Sequence, residues 1–228
     1  MTSSYILYAS SLFAYTMLYG ISWYASGRRS DKIADVLYRE GCEYLLIKKQ
    51  CAGILVLLIP VAFCFLCMHE ASWLLNTGPV TVWVYGWVPA LFFSIILGSA
   101  YTTAFVRAVK KQHVTAMRQA PQVIYFAGRV VFLFLYEVFF RGILLFSLIQ
   151  LTGYVVAVAV SIVLYAALHL HCSKKELVST IPFGLVAAVL CIWANSIWPA
   201  VLLHIIVSLT AELDFVLSAN KPYKLYVV

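Results

Sequence analysis

The sequence predicts an all-helical, polytopic integral membrane bundle of about seven transmembrane helices, and three observations predict it. Hydrophobic residues make up 64% of the chain and charged residues only 11%, with a mean hydropathy of +0.94. A soluble domain carries about 25% charged residues, so a chain this apolar needs lipid around it. Apolar runs recur at the length a helix needs to cross the hydrocarbon core, about 20 residues. The basic residues collect between alternate runs, as they do in membrane proteins.

The runs fall at 5–25, 51–69, 81–106, 125–151, 154–170, 177–194 and 197–217. They lack the alternation of a barrel strand, and only helices or closed barrels satisfy their backbone in lipid. The first run is too long for the apolar core of a signal peptide and no charged segment precedes it, so it reads as a retained span. Pro60, Pro89 and Pro182 lie where they can kink their helices. Pro199 suits the first turn of the last helix, where its missing N–H costs nothing. Residues 28–50 carry an apolar side at Ile33, Val36, Leu37 and Tyr38, which reads as loop packing ahead of membrane docking. No internal repeat or linker divides the chain, so residues 1–228 are one membrane domain. Within it, 1–121 hold the N-terminal spans and loops, and 122–217 the core helices that carry the site.

Fourteen of the sixteen Lys and Arg fall on one side of this arrangement. They occupy the first loop (Arg28, Arg29, Lys32, Arg39, Lys48, Lys49), the third (Arg107, Lys110, Lys111, Arg118), the fifth (Lys174, Lys175) and the tail (Lys221, Lys224). The positive-inside rule then sets the N-terminus outside and the C-terminus in the cytoplasm. The net charge of +7 therefore faces cytoplasm and anionic lipid, and nucleic acid is not an expected partner. Of six cysteines (Cys42, Cys51, Cys64, Cys67, Cys172, Cys191), Cys64 and Cys67 have CxxC spacing. No second ligand pair accompanies them, so they read as small apolar residues.

Arg129 and Arg141 are the two basic residues outside the loops, and Glu137 alone among nine acids sits well inside a span. A charge at that depth costs about 2.5–3.5 kcal/mol on insertion scales, so pairing or a hydrated cavity must offset it. Glu137 and Arg141 share a helix face with the acid first, the favoured order; the plain reading is a neutralised pair that pins the helix. Arg129 reads as a residue that snorkels to the interface, and His171 as interfacial. Tyr165 and His169 share another face. His204 stands among Leu202, Leu203, Ile205 and Ile206, with Ser208 one turn on, and needs a partner from another helix.

The depths agree. Counting from Arg129, Lys174 and Glu212 at 1.5 Å per residue, Glu137 lies roughly 12 Å in, His169 roughly 8 Å and His204 roughly 12 Å. An acid and two imidazoles can then meet in the cytoplasmic half of the bilayer. Such a set suits general acid–base chemistry on a carbonyl, one group taking a proton from water while another steadies the oxyanion. No cofactor is required. The alternative is zinc, which accepts His₂Glu ligation with water in the fourth position, although the HExxH spacing is absent. A proton-coupled carrier could use the same groups as a relay, but no repeat supports it.

Three segments carry a family resemblance: Tyr136-Glu137-Val138-Phe139-Phe140-Arg141-Gly142, then Tyr165-Ala-Ala-Leu-His169, then Ser196 to His204. In this order they resemble the motifs of the CPBP (CAAX protease and bacteriocin-processing, or Abi) intramembrane endopeptidases, which read Glu-Glu-x-x-x-Arg, Phe-x-x-x-His and His-x-x-x-Asn/Asp. The resemblance covers about residues 122–215 and implies a glutamic membrane hydrolase acting on a peptide or protein near the cytoplasmic face of a bacterial plasma membrane. It implies that His169 helps activate water and that His204 supports the oxyanion, with Glu137 and Arg141 as the motif's second acid and its arginine. The chain departs from the pattern at Tyr136, where the first glutamate belongs, at Ser208 in place of asparagine, and at Tyr165 in place of phenylalanine. Either Glu137 serves as base after a rotation of its helix, or the chain is a proteolytically inactive adaptor, immunity or regulatory protein.

Overall fold

The computed structural model describes residues 2–27, 43–67, 76–88, 91–92, 95, 119–172 and 174–219. Every regular element among them is helical. In chain order these are α1 (Thr2–Gly27), α2 (Glu43–Cys67), a π-helical turn (Val82–Trp87), α3 (Gln119–Glu137), a π-helical stretch (Val138–Leu145), α4 (Phe146–Thr152), α5 (Tyr154–Ala167), α6 (Lys174–Ala194) and α7 (Trp198–Ala219). Tyr44–Leu66, Ala120–Thr152 and Glu176–Ala194 are long and apolar enough to cross a membrane, and the Tyr154–Ala167 and Trp198–Leu213 segments are shorter apolar helices. Large apolar side chains such as Tyr5, Leu12, Trp23, Leu66 and Val155 stand exposed on the outside. Lipid accepts such a surface and water does not. The molecule is a polytopic helical membrane bundle.

Several boundaries move. α2 starts at Glu43, not 51, and takes Lys48 and Lys49 into its first turns. α5 ends at Ala167, and His169 falls in the following turn, where its N–H bonds the Ala166 carbonyl at 2.9 Å. The third expected span, 81–106, is described only at its start, and Pro89, the apolar side at 33–38, Asn76-preceding residues 68–75 and the tail at 220–228 lie outside the described residues. So do most of the basic residues behind the expected orientation.

The largest departure from a plain α-helix is in the fourth span. It runs unbroken from Gln119 to Thr152 but widens to i→i+5 bonding over Val138–Leu145. A π segment inside an α-helix often marks a functional position. Val138, Phe139, Phe140, Arg141, Gly142, Ile143 and Leu145 are all buried. A stretch buried all round must run through the middle of a bundle. α1 lies on α2, α2 on α3, and α7 closes against both α3 and α6.

Turn chemistry sets the tight returns. Gly153, at φ 80°, joins α4 to α5, a conformation a side chain would strain. Between α6 and α7, Asn195 takes φ 47°; its N–H bonds Ile192 and that of Ser196 bonds Cys191 at 3.0 Å, a Schellman closure with asparagine in place of glycine. Ser196 Oγ then accepts from the Trp198 N–H, and Pro199 occupies the first turn of α7 as expected.

Close helix contact depends on small residues. A Cβ on Gly53 of α2 would stand 2.6 Å from Cε2 of Phe132 on α3. Gly53→Leu should therefore cost the fold about 1–3 kcal/mol through overpacking, read from unfolding in mixed micelles. Gly20→Leu, where nothing lies within 4 Å, should leave the midpoint unmoved.

Candidate active site

Glu137 is the last α-helical residue before the π stretch, and its side chain has no exposure. Its Oε1 lies 2.5 Å from Nδ1 of His204 on α7. Its Oε2 lies 3.4 Å from Nε of Arg141, which is equally enclosed. A carboxylate only accepts, so His204 Nδ1 carries the hydrogen and Nε2 presents a lone pair. No rotation of the helix is needed to bring Glu137 to the site. The expectation of one took the first acid's position, Tyr136, as the face that meets the imidazoles; both residues lie in regular α-helix, and Glu137 itself meets His204.

Arg141 is held on three sides. Its Nη1 donates to Ser161 Oγ of α5 at 2.9 Å, its Cζ stands 5.2 Å over the Tyr165 ring, and Glu137 faces its Nε. Nη2 points at Gly184 of α6, whose imagined Cβ would stand 3.5 Å away. Two opposite charges without water are tolerable only when they neutralise each other and find such partners. The pair ties the middle of the fourth span to α5, α6 and α7.

Aromatic rings wall this pair. Phe183 lies 5.2 Å from His204 between ring centres, Tyr136 5.9 Å and Tyr165 6.3 Å. Tyr165 also carries His169 on its other side at 5.0 Å. His169 does not bond the carboxylate; its Nδ1 is 3.0 Å from the Tyr165 carbonyl. That carbonyl can only accept, so His169 too presents a bare Nε2. The Tyr165 ring thus contacts both imidazoles. Only His204 has an acid behind it. His171 lies apart, its ring 5.0 Å from Tyr19.

A second polar cluster sits two helical turns away on the same helices. Arg129 Nη2 meets Glu212 Oε1 at 2.9 Å, Tyr125 Oη donates to Glu212 Oε2 at 2.8 Å, and Ser208 Oγ donates to Glu212 at 3.0 Å. Ser208 also accepts from Arg129 Nε and Nη2 at 3.2 and 3.0 Å. Two expectations change here. Arg129, read as a lone snorkelling residue, has a partner: Glu212 on α7 meets it, with the two side chains 25% and 15% exposed. Ser208 does not face the Glu137–His204 pair, because its short side chain is committed to Arg129 and Glu212. Ser208→Ala should accordingly cost about 1–2 kcal/mol of stability through the lost charged hydrogen bonds. Any turnover should change by less than about threefold.

Ser161, Tyr125 and Glu212 were not singled out as site residues from the sequence. A signal existed: Ser161, Tyr165 and His169 repeat every four residues, as do Tyr125, Arg129, Glu137 and Arg141 with one gap, and His204, Ser208 and Glu212. Among the described residues no three His, Cys, Asp or Glu side chains converge as a metal-binding set. Cys51, Cys64 and Cys191 are free thiols; the Cys42 and Cys67 side chains lie outside the described residues.

Fold and geometry together define a helical membrane protein built around a buried carboxylate–imidazole pair. Residues 119–210 match the family model described as type II CAAX prenyl endopeptidase Rce1-like, less than half of the chain but a segment that includes Glu137, Arg141, His169 and His204. That segment is similar to the CAAX-protease family, a family of intramembrane proteases, as its three motifs suggest. No curated protein and no solved structure matches the chain.

Proposed function

We propose that this protein hydrolyses a peptide bond within the bilayer, near the cytoplasmic face, with water activated by the Glu137–His204 pair. The observation that carries the reading is the 2.5 Å bond between Glu137 and His204, made across two helices by groups with little or no access to solvent. An acid behind an imidazole fixes its tautomer and stabilises the imidazolium that forms when Nε2 takes a proton. Glu137 then acts as the orienting acid and His204 as the base. His169, backed only by a carbonyl and with a bare Nε2, is the weaker base; the proton for the departing amine comes from the His204 imidazolium. Arg141 positions Glu137 from the far side and touches no substrate. No step needs a metal or other cofactor, and the partners are a peptide or protein substrate and membrane lipid.

The test is cleavage of a peptide library by the purified protein in liposomes, followed by mass spectrometry. Wild type should produce defined fragments and His204→Ala none; equal fragmentation by both would sink the reading.

A second reading, a proteolytically silent member acting as adaptor, immunity or regulatory protein, is favoured by Tyr136 in the first acid's position and by the engagement of Ser208 elsewhere. It predicts a cellular phenotype that survives the combined change Glu137→Gln, His169→Ala and His204→Ala. Loss of that phenotype in a folded variant rejects it.

A further inference from the structure

We infer that the Tyr136 hydroxyl is the donor that holds the carbonyl oxygen of the scissile bond, an assignment that rests on the hydrolytic reading above. Tyr136 is 5% exposed, and its Oη has no hydrogen-bond partner. An unpaired buried hydroxyl costs about 1–3 kcal/mol and calls for a reason. Its ring provides one. It stands edge-on to His204 at 5.9 Å and to Tyr165 at 5.7 Å, with Phe140 at 4.6 Å and Phe132 at 5.7 Å on its other sides. The hydroxyl is thus buried on a ring that touches the imidazole base, with its hydrogen uncommitted.

The competing donors are accounted for. Ser208, at the position the family motif gives to an oxyanion donor, spends its hydrogen on Glu212. Arg141 Nη1 is taken by Ser161, and its unpartnered Nη2 lies at Gly184, on α6. His204 Nδ1 is taken by Glu137. Two hydroxyls remain beside His204, those of Tyr136 and Tyr165; Tyr136 is the nearer ring, at 5.9 Å against 6.3 Å, and its Oη is buried without a partner. The residue that replaces the family's first acid therefore moves from proton removal to oxyanion binding, while the acid's work passes to the Glu137–His204 pair.

The step balances without further reagents. His204 Nε2 takes a proton as the water oxygen forms its bond to the carbonyl carbon, and the C=O π pair moves onto oxygen. Tyr136 donates its O–H to that oxyanion and keeps its proton. The pair returns to re-form C=O, the C–N bond breaks, and the His204 imidazolium returns its proton to the departing amine, which restores the neutral ring.

Tyr136→Phe deletes only the hydroxyl. In the liposome assay kcat should fall about 10²- to 10³-fold, the usual effect of one oxyanion donor, with KM changed less than about threefold. Affinity for a phosphinic peptide, a tetrahedral mimic, should fall with kcat/KM, whereas affinity for a non-cleavable amide isostere should hold. The thermal midpoint should stay or rise, since no bond is lost from the resting protein. A kcat within about threefold of wild type, alongside an inactive His204→Ala, overturns this assignment and leaves the hydrolytic reading intact. Loss of activity with a matching fall in midpoint and in isostere affinity overturns it as well. Wild-type protein that neither cleaves the library nor binds the phosphinic peptide overturns both.

Discussion

Arg141→Met should destabilise the fold by about 3–5 kcal/mol, the cost of leaving one partner of a buried ion pair alone. Glu137 and Arg141 are both fully enclosed, so a lone Glu137 charge would have no water to turn to. Ser161 would lose its donor in the same change. The measurement is reversible unfolding in mixed micelles, with Glu137→Leu and the double variant closing a thermodynamic cycle. The double variant should recover most of the loss, because replacing both ions with apolar groups removes the desolvation cost along with the attraction. A single-variant loss below about 1 kcal/mol would mean that the pair is hydrated and comparable to a surface bridge. The cycle thus separates an ion pair that supports the fold from one retained for chemistry.

The second large effect is catalytic. Glu137→Gln should lower kcat by about 10⁴, as loss of an orienting carboxylate does when the imidazole adopts the wrong tautomer. A carboxamide at this position can donate its N–H to His204 Nδ1, which forces the ring hydrogen onto Nε2 and removes the lone pair that takes the proton. His204→Ala should fall by about 10² to 10⁴, the range for a general base. His169→Ala should be milder, at most about tenfold, because only a backbone carbonyl stands behind that ring. A Glu137→Gln variant that keeps more than about a tenth of wild-type turnover would remove the acid from the mechanism. A His169→Ala loss larger than that of His204→Ala would exchange the two imidazoles' roles. Because Glu137→Gln also disturbs Arg141, its midpoint should be measured beside its rate, and the His204→Ala comparison carries the catalytic conclusion.

The helical membrane class was legible from composition and run length, since both follow from the solvent the chain must meet. So was the list of costly residues: Glu137, Arg141, His169 and His204 stand out against apolar neighbours because a polar group in hydrocarbon must be justified. The repeat of four that aligns Ser161, Tyr165 and His169 on one side, and His204, Ser208 and Glu212 on another, was equally present in the letters. Its meaning was not, because periodicity gives the face a residue occupies and not the helix that face meets. Arg129 illustrates this. Its depth fitted snorkelling to the interface, but the antiparallel approach of α3 and α7 delivers Glu212 to it.

Two features escaped linear reading for the same reason. The π-helical widening at Val138–Leu145 leaves no mark in residue type, since Phe, Val, Ile and Leu serve either helix, and it depends on what packs around the backbone. The division of work between His169 and His204 depends on which ring nitrogen meets an oxygen and whether that oxygen is charged. What this sequence determined alone was the solvent, the helices and the identity of the residues whose burial needs compensation. Tertiary structure decided the partners, because hydrogen bonds and ion pairs act over about 3 Å, a scale that helix packing sets and spacing along one chain does not.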